Sequence, residues 1–325
     1  MHLSPPLQPM LARPVDSLPR PGAAGRLVYE QKVDGFRALV FARSAPFVQS
    51  RRGADLGPAF PEIVRAASQL GVEAVLDAEL VVWAGSGLDF AALQQRARRR
   101  GPSAERAAAT SPAHLVVFDL LELSGTVLMD QPLVRRRALL EELFTSRRLS
   151  APWALSPQTT DQDIARTWLD PAWGAVGVEG AMIKDSGGRY RPGERGWLKA
   201  RSRTTAEGII AAVTGAVRAP QTLLLGSPDP DGAGRLRLIA RSTPLSRSAS
   251  ARLGAALHAA GPSHPWRGLR FSAGWGTSEP LAFHPVVPEL VAEFAGDTAV
   301  DGGRYRHPVR YLRIREDMTP SDVHA

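Results

Sequence analysis

The chain has 325 residues, of which 44% are hydrophobic and 22% charged, a balance typical of globular proteins at a length that suits two domains. The sequence contains no apolar run of about 18 residues, which excludes a transmembrane helix, and no cysteine, which excludes disulfides, zinc ribbons and iron–sulfur clusters. The net charge of +8 has two explanations that composition leaves open, an arginine-rich genome or a polyanionic partner such as nucleic acid.

The N-terminal sequence MHLSPPLQPM lacks the basic and apolar regions of a secretory signal. Together with the absence of cysteine, this predicts a cytoplasmic protein with no membrane partner. The first thirty residues are rich in proline and glycine, and we expect an arm that leads into a strand.

The first part of the chain predicts an alternation of strands and helices. A hairpin is expected where Asp34-Gly35 joins RLVYEQKV to FRALVFA. Further strands are expected in APFVQSRRG, AVLDAELVVWA, AHLVVFDLLEL, GAMIKD and GWLKARS, and helices in PEIVRAASQL, PLVRRRALLEELF and TDQDIARTWL. The basic run Arg96–Pro112 is expected to be a solvated loop, with a nucleic-acid contact as the alternative.

The apolar pattern lapses between Arg201 and Gly208, which predicts a boundary between domains 1–202 and 203–325 and a hinge there. Short strands follow, together with an alanine-rich helix in RSASARLGAALHAAG. This pattern is typical of a five-stranded barrel that carries one helix.

Several common catalytic motifs are absent. The chain has no P-loop, no G-x-G-x-x-G, no H-E-x-x-H and no G-x-S-x-G. These absences argue against a P-loop NTPase, a dinucleotide-binding enzyme, a zinc protease of the H-E-x-x-H type and a hydrolase with a nucleophile elbow.

Lysine is rare here: the chain carries 40 lysines plus arginines, and only Lys32, Lys184 and Lys199 are lysines. Arginine stays protonated, whereas a lysine with an ordinary pKa of about 10.4 can lose its proton when desolvated or placed beside other cations. A neutral lysine can then attack an electrophile and hold a covalent intermediate. Lys32 is therefore a candidate nucleophile, and a surface lysine at a turn is the alternative.

Charged residues around these lysines suggest a phosphate ligand. Glu30 lies two residues before Lys32, so both point to one face of a strand. Glu79 and Glu179, on other predicted strands, can each hold a divalent metal through carboxylate oxygens, or can be paired polar residues at strand ends. Lys199 and Arg201 also share a face, and the combined set suggests a bound nucleoside triphosphate.

The ordered set resembles the covalent nucleotidyltransferases, and most closely the ATP-dependent DNA ligases. Their K-x-D-G-x-R signature resembles Lys32–Arg37. The later elements resemble, in order, Ser50–Gly53, Asp77–Leu80, Val117–Asp119, Glu179–Lys184, Trp197–Arg201 and Arg313–Met318. The resemblance covers residues 30 to 318, nearly the whole chain.

The resemblance implies the α+β class, with a nucleotidyltransferase (adenylation) domain of antiparallel sheets and helices followed by an OB-fold β-barrel domain. Lys32 would be the nucleophile that forms lysyl-AMP from ATP. Glu30 and Phe118 would hold the adenine, and Arg37 and Glu79 would contact the ribose region.

The resemblance also implies the phosphate and metal contacts. Arg51 would contact AMP or the 5′-phosphate of DNA, and Glu179, with Glu79, would bind Mg²⁺ or Mn²⁺. Lys184, Lys199 and Arg201 would contact the nucleotide.

Arg315 and Asp317 would act from the OB-fold domain in the first step. Relatives often have lysine at the positions of Arg201 and Met318, which changes the expected geometry at the first and puts a lysine role in doubt at the second. The expected partner is nicked double-stranded DNA, in DNA repair beside a polymerase or nuclease, and we expect a monomer that associates with the nucleoid on DNA.

An RNA ligase or a GTP-using capping enzyme with the same core is the alternative enzyme. A non-catalytic DNA-binding protein with the same fold is the alternative of another class.

Overall fold

The structure is a computed structural model that describes residues 2–19, 26–85, 87–229, 235–272 and 279–323. The chain forms two compact units, Met1–Ser202 and Arg203–Ala325. No helix in the described ranges is both long and apolar enough to cross a bilayer.

Strands and helices alternate in the first unit. Its helices are α1 (Pro61–Ser68), α2 (Phe90–Ala97), α3 (Pro102–Thr110), α4 (Leu133–Ser146) and α5 (Gln162–Thr167). Its strands are β1 (Ala12–Val15), β2 (Leu27–Val33), β3 (Phe36–Ala42), β4 (Phe47–Ser50), β5 (Ala74–Ala84), β6 (Gly87–Leu88), β7 (Ala113–Leu123), β8 (Thr126–Val127), β9 (Trp153–Leu155), β10 (Gln158–Thr159), β11 (Val178–Asp185) and β12 (Trp197–Arg201).

Two sheets form the centre of this unit. One has the strand order β1-β12-β11-β2-β10, and the other has the order β4-β3-β5-β7-β8, with β6 beside β5 and β9 beside β7. Side chains from both sheets meet in one apolar cluster, which includes Leu39 and Phe41 of β3 and Trp197 of β12. The nucleotide-site candidates therefore start from strands that face each other.

Side chains along β5 alternate between the hydrophobic core and the face of the sheet that lines the site. Leu76, Ala78 and Leu80 are buried in a cluster with Ile63 of α1 and Leu140 of α4. The intervening Asp77 and Glu79 project to the opposite face because successive strand residues alternate.

The expected hairpin at Asp34-Gly35 is wrong. Strand β2 pairs with β10 and β11, whereas β3 pairs with β4 and β5, so the chain passes from one sheet to the other at this point. Glycine is required for a steric reason, because a Cβ at Gly35 would lie 2.9 Å from Glu79 Cγ and 2.9 Å from Val81 Cγ1.

The expected solvated loop at Arg96–Pro112 is also wrong. Helix α3 occupies most of it and buries Ala104, Ala107 and Ala108. Arg96 is buried and pairs with Glu62 of α1 at 2.7 Å. The run looked like a loop because its buried face is made of alanines, which carry little hydrophobic signal.

The N-terminal arm is more ordered than expected. Strand β1 pairs in parallel with β12, with Ala12 opposite Trp197 and Val15 opposite Ala200. Residues 20–25 of the expected arm lie outside the described residues.

The second unit is built on a β-barrel. Its elements are β13 (Arg203–Ala216), β14 (Ala219–Pro228), β15 (Leu236–Arg241), α6 (Arg247–Ala256), β16 (His284–Pro285), β17 (Val291–Asp297), β18 (Val300–Asp301), β19 (Arg304–Tyr305) and β20 (Arg310–Ile314). The main sheet has the order β15-β14-β13-β17-β20. A parallel bridge between Ser242 and Val309 joins its two ends, which closes the barrel.

This architecture confirms the predicted α+β class with a nucleotidyltransferase-type sheet domain and an OB-fold. The segment where the apolar pattern lapses is a regular strand and not a linker, because residues 203–208 pair with β17 from Asp297 to Ala292. In the described chain, Ser202 alone separates β12 from β13.

Candidate active site

A pocket lies between the two sheets of the first unit. Its walls come from β2, β3, β5, β7, β11, β12 and the segment before β10. It is lined by Glu30, Gln31, Lys32, Val33, Arg37, Glu79, Val116, Phe118, Ser156, Met182, Lys184 and Trp197. The structure therefore brings Glu30, Lys32, Arg37, Glu79, Phe118 and Lys184, all predicted from sequence, into one cavity.

Lys32 is held by Glu179. The Nζ of Lys32 lies 2.5 Å from Oε2 of Glu179, and their side chains are 18% and 5% exposed. Burial raises the pKa of Glu179, but the charge of Lys32, the charge of Arg201 and the hydrogen bond from Lys32 outweigh it and lower that pKa to about 2. Glu179 is therefore ionised at neutral pH.

Glu30 is fixed at both carboxylate oxygens. Oε2 lies 2.5 Å from Nζ of Lys184, and Oε1 accepts a hydrogen bond of 2.8 Å from Nε2 of Gln158. Glu30 and Lys184 are both buried. A carboxylate held between two donors in this way presents acceptor oxygens to a ligand.

Aromatic rings and cations lie together on one wall of the pocket. Nζ of Lys184 lies 4.6 Å from the ring centroid of Phe118 and 4.3 Å from that of Trp197. The Cζ of Arg37 lies 4.8 Å and 5.3 Å from the same two centroids. Such contacts between cations and ring faces are attractive and hold both side chains beside Phe118.

The carboxylate of Asp77 holds the guanidinium of Arg37. The guanidinium donates through Nε and Nη2 to the two carboxylate oxygens, at 2.6 Å for the Nη2 contact. Asp77 also accepts a hydrogen bond of 2.7 Å from the Tyr190 hydroxyl. This bidentate geometry fixes the orientation of the Arg37 guanidinium in the pocket.

Glu79 lies near Lys32 and Arg37, but its carboxyl group is strongly desolvated. Burial raises its pKa to about 7, against the opposing effect of Lys32 and Arg37. The Glu79 carboxyl group therefore loses its proton readily when another cation approaches.

Positive charge gathers beside Lys32. Burial and the neighbouring charges of Arg201, Lys32 and Arg51 lower the pKa of Lys199 to about 8. Nε of Arg201 lies 3.8 Å from Oε2 of Glu179. A cluster of cations that lower one another's pKa is suited to binding a polyanion such as a triphosphate.

The donors fit a divalent metal that arrives with phosphate. Among the described residues no group of three or more histidine, aspartate or glutamate side chains could hold a metal alone. Mg²⁺ is usually bound through one or two carboxylates together with substrate phosphates and waters, and Glu79 and Glu179 supply that number.

Arg315 and Asp317 belong to the second unit. Nη2 of Arg315 lies 2.8 Å from Oδ2 of Asp317, and its Nη1 lies 2.6 Å from Oε1 of Glu207. Met318 packs against an apolar cluster that contains Ile209 and Val291. That contact accounts for an apolar side chain at this position.

Sequence reasoning missed Gln158, Ser156, Met182 and the holding role of Asp77 and Tyr190. Gln158 reaches Glu30 because β10 pairs with β2 in the register Gln158–Glu30. The strand has only the residues Gln158–Thr159, so it carries no periodic signal.

Comparison with known proteins identifies the family. A family model described as an ATP-dependent DNA ligase domain matches residues 9–201. DNA ligase C of Mycobacterium tuberculosis is 33% identical, over 98% of this chain and 93% of its own length. DNA ligase C1 of Mycolicibacterium smegmatis is 33% identical, over 99% of this chain and 93% of its own length.

Solved structures of DNA ligases match the fold of this chain. The ligase domain of LigD from M. tuberculosis matches with a TM-score of 0.51 and 28% identity, over 98% of both chains. A mycobacterial DNA ligase D complexed with ATP and MES matches with a TM-score of 0.52 and 28% identity, over 98% of this chain and 97% of that one. The family model, the full-length relatives and the fold agree: this chain belongs to the ATP-dependent DNA ligase family.

Proposed function

We propose that this chain seals nicks between a 3′-hydroxyl and a 5′-phosphate in double-stranded DNA, with ATP as the energy source and Lys32 as the nucleophile. The observation that carries the proposal is the placement of Lys32 and Glu30 in one pocket, with Lys32 paired to Glu179. A pocket with an acceptor-only carboxylate at one position and a lysine at another suits a nucleotide whose base and α-phosphate must be held together.

The first step forms the covalent intermediate. Lys32 Nζ gives up a proton to solvent water and attacks the α-phosphorus of ATP. The N–P bond forms, the bond to the bridging oxygen breaks, and pyrophosphate leaves. Glu30 and Phe118 hold the adenine, while Arg37 and Glu79 contact the ribose region. Fixed charges positioned before the reaction lower the barrier because they need no reorganisation.

Lys199, Arg201, Lys184 and Arg51 supply positive charge to the phosphates. Glu79 and Glu179 are the residues that would hold Mg²⁺ or Mn²⁺, which when bound neutralises phosphate oxygens and polarises the α-phosphorus. Arg315 and Asp317 are proposed to act in this step on the strength of their motif alone.

The later steps return the enzyme to its starting state. An oxygen of the 5′-phosphate attacks the phosphorus of lysyl-AMP, the N–P bond breaks, and Lys32 Nζ takes up a proton. The 3′-hydroxyl then loses its proton and attacks the 5′-phosphorus, and AMP leaves as the strand is sealed. The change of partner between steps motivates the proposed hinge. Since residues 203–208 are part of β13, we place it at Ser202, between β12 and β13.

The direct test is sealing of a nicked duplex by the purified chain with ATP, read on a denaturing gel, with RNA-containing nicks and GTP as parallel arms. We expect sealing of the DNA nick with ATP. Covalent labelling by GTP alone, or sealing of RNA nicks alone, would contradict the proposal and favour a capping enzyme or an RNA ligase. A role in repair, with a polymerase or nuclease beside it, is proposed from the ligase activity.

A further inference from the structure

The N-terminal segment, defined as residues 2–11, is tied to the first unit along its length. His2 Nδ1 lies 2.9 Å from Oε1 of Glu122, and the Leu3 amide donates to Oε2 at 2.6 Å. Leu7 and Gln49 exchange hydrogen bonds of 2.8 Å and 2.6 Å between backbone and side chain. These contacts fix the path of the segment up to Met10.

At Met10 the segment enters a closed ring of hydrogen bonds. The Met10 amide donates to the Tyr190 hydroxyl at 2.9 Å, and that hydroxyl donates to Oδ2 of Asp77 at 2.7 Å. Asp77 accepts from Arg37, and Nη2 of Arg37 donates to the Met10 carbonyl at 3.2 Å. Each member of the ring is thereby held by the next.

The ring of hydrogen bonds is buried from solvent. Asp77 and Tyr190 are each 0% exposed. Burial, followed by the charge of Asp77, raises the pKa of Tyr190, so its hydroxyl remains a donor at neutral pH. Hydrogen bonds in such surroundings are strong when complete and costly when one partner is lost.

Arg37 is the member that faces the nucleotide pocket. Its guanidinium lies beside the rings of Phe118 and Trp197, which also line the pocket. The ring therefore fixes a side chain whose direction decides which ligand atoms it can reach.

We propose that Tyr190, together with the N-terminal segment, positions Arg37 for ATP, so that a segment outside the recognised motifs is part of the nucleotide site. Tyr190 is a positioning residue, since it acts through Asp77 and Arg37. This inference rests on the proposed function, because it assumes that Arg37 binds ATP.

Tyr190→Phe tests the inference with little change in shape. It removes both hydrogen bonds of the hydroxyl and leaves the Met10 amide without its acceptor. We expect KM for ATP in lysyl-AMP formation to rise about 10-fold, with the rate at saturating ATP changed less than about 2-fold. Tyr29→Phe is the matched control, because Tyr29 is equally buried but packs on the other face of its sheet against Ala165 and Trp168.

A double-mutant cycle separates positioning from a purely structural role. In an Arg37→Met background, Tyr190→Phe should leave KM for ATP unchanged, since the side chain that it positions is gone. Gln49→Leu, which frees Leu7 of the segment, should raise KM in the same direction as Tyr190→Phe.

A wild-type KM for ATP in Tyr190→Phe would overturn the inference, and so would an equal increase in KM with and without Arg37. Neither result affects the proposed function as long as the wild-type chain forms lysyl-AMP. Absence of lysyl-AMP in the wild-type chain would instead overturn the proposed function.

Discussion

Lys32 of β2 and Glu179 of β11 form an ion pair with Nζ and Oε2 2.5 Å apart. Strands β2 and β11 are neighbours in one sheet, so the pair joins residues that are 147 positions apart in sequence. The pair gives the candidate nucleophile a fixed direction and keeps Glu179 ionised. Gly180, next to Glu179, has a φ of +142°, and a Cβ there would lie 2.8 Å from Arg201 Cα, so the backbone beside Glu179 needs glycine.

Glu179→Gln should reduce lysyl-AMP formation by about 100-fold, because glutamine neither fixes Lys32 by charge nor supplies an anionic metal ligand. The measurement is the single-turnover rate of label transfer from ATP. Glu142→Gln, on the exposed side of α4, is the control and should retain the wild-type rate. A wild-type rate in Glu179→Gln would remove Glu179 from the proposed site.

ATP binding should take up protons at about pH 8, where burial and neighbouring cations leave Lys199 only partly protonated. A triphosphate beside Lys199 raises its pKa again, so the bound state holds more protons than the free state. At about pH 6 Lys199 is protonated in both states and the uptake through it should vanish. Calorimetry in buffers of different ionisation heat, with EDTA to prevent adenylation, measures the uptake.

Lys199→Arg is the matched variant, because arginine stays protonated throughout this range. The uptake at about pH 8 should fall in this variant while ATP still binds, and Glu79, whose pKa is about 7, accounts for any part that remains. Uptake of the same size in Lys199→Arg would assign the proton to another group.

Gln158→Leu should raise KM for ATP about 10-fold, because it leaves Oε1 of the buried Glu30 without its donor. We also expect weaker discrimination between ATP and GTP, since a loosened carboxylate no longer presents fixed acceptors to the base. Initial rates of lysyl-nucleotide formation with each nucleotide give both quantities. Equal discrimination in Gln158→Leu and the wild type would limit Gln158 to a packing role.

Arg136→Met should destabilise the chain by about 3–5 kcal/mol, because it leaves the buried carboxylate of Asp119 uncompensated. Arg136 contacts both oxygens of Asp119, at 2.8 Å and 2.9 Å. Urea unfolding gives the change in free energy. Arg65→Met, which breaks an ion pair of two half-exposed side chains, is the control and should cost less than about 1 kcal/mol. Similar costs for the two variants would contradict a structural role for the buried pair of Arg136 and Asp119.

Most strands, and half of the residues that line the pocket, were predictable from sequence because both depend on local pattern. Strands β5 and β7 carry long alternating or apolar runs, and Lys32 stood out because lysine is rare in this chain. The Asp34-Gly35 hairpin was wrong because a turn signal does not tell whether the flanking strands pair with each other or belong to different sheets. Gln158 and Tyr190 could not be predicted, since their roles depend on contacts with Glu30 and Asp77 that are distant in sequence.

The most direct test of the central claim is to incubate the chain with α-labelled ATP and a divalent metal, and to map the labelled residue by mass spectrometry of its peptides. We expect AMP on the Nζ of Lys32 in the wild type, and no label and no nick sealing in Lys32→Arg, because arginine cannot be deprotonated to attack. AMP on another residue, or nick sealing retained by Lys32→Arg, would contradict the account.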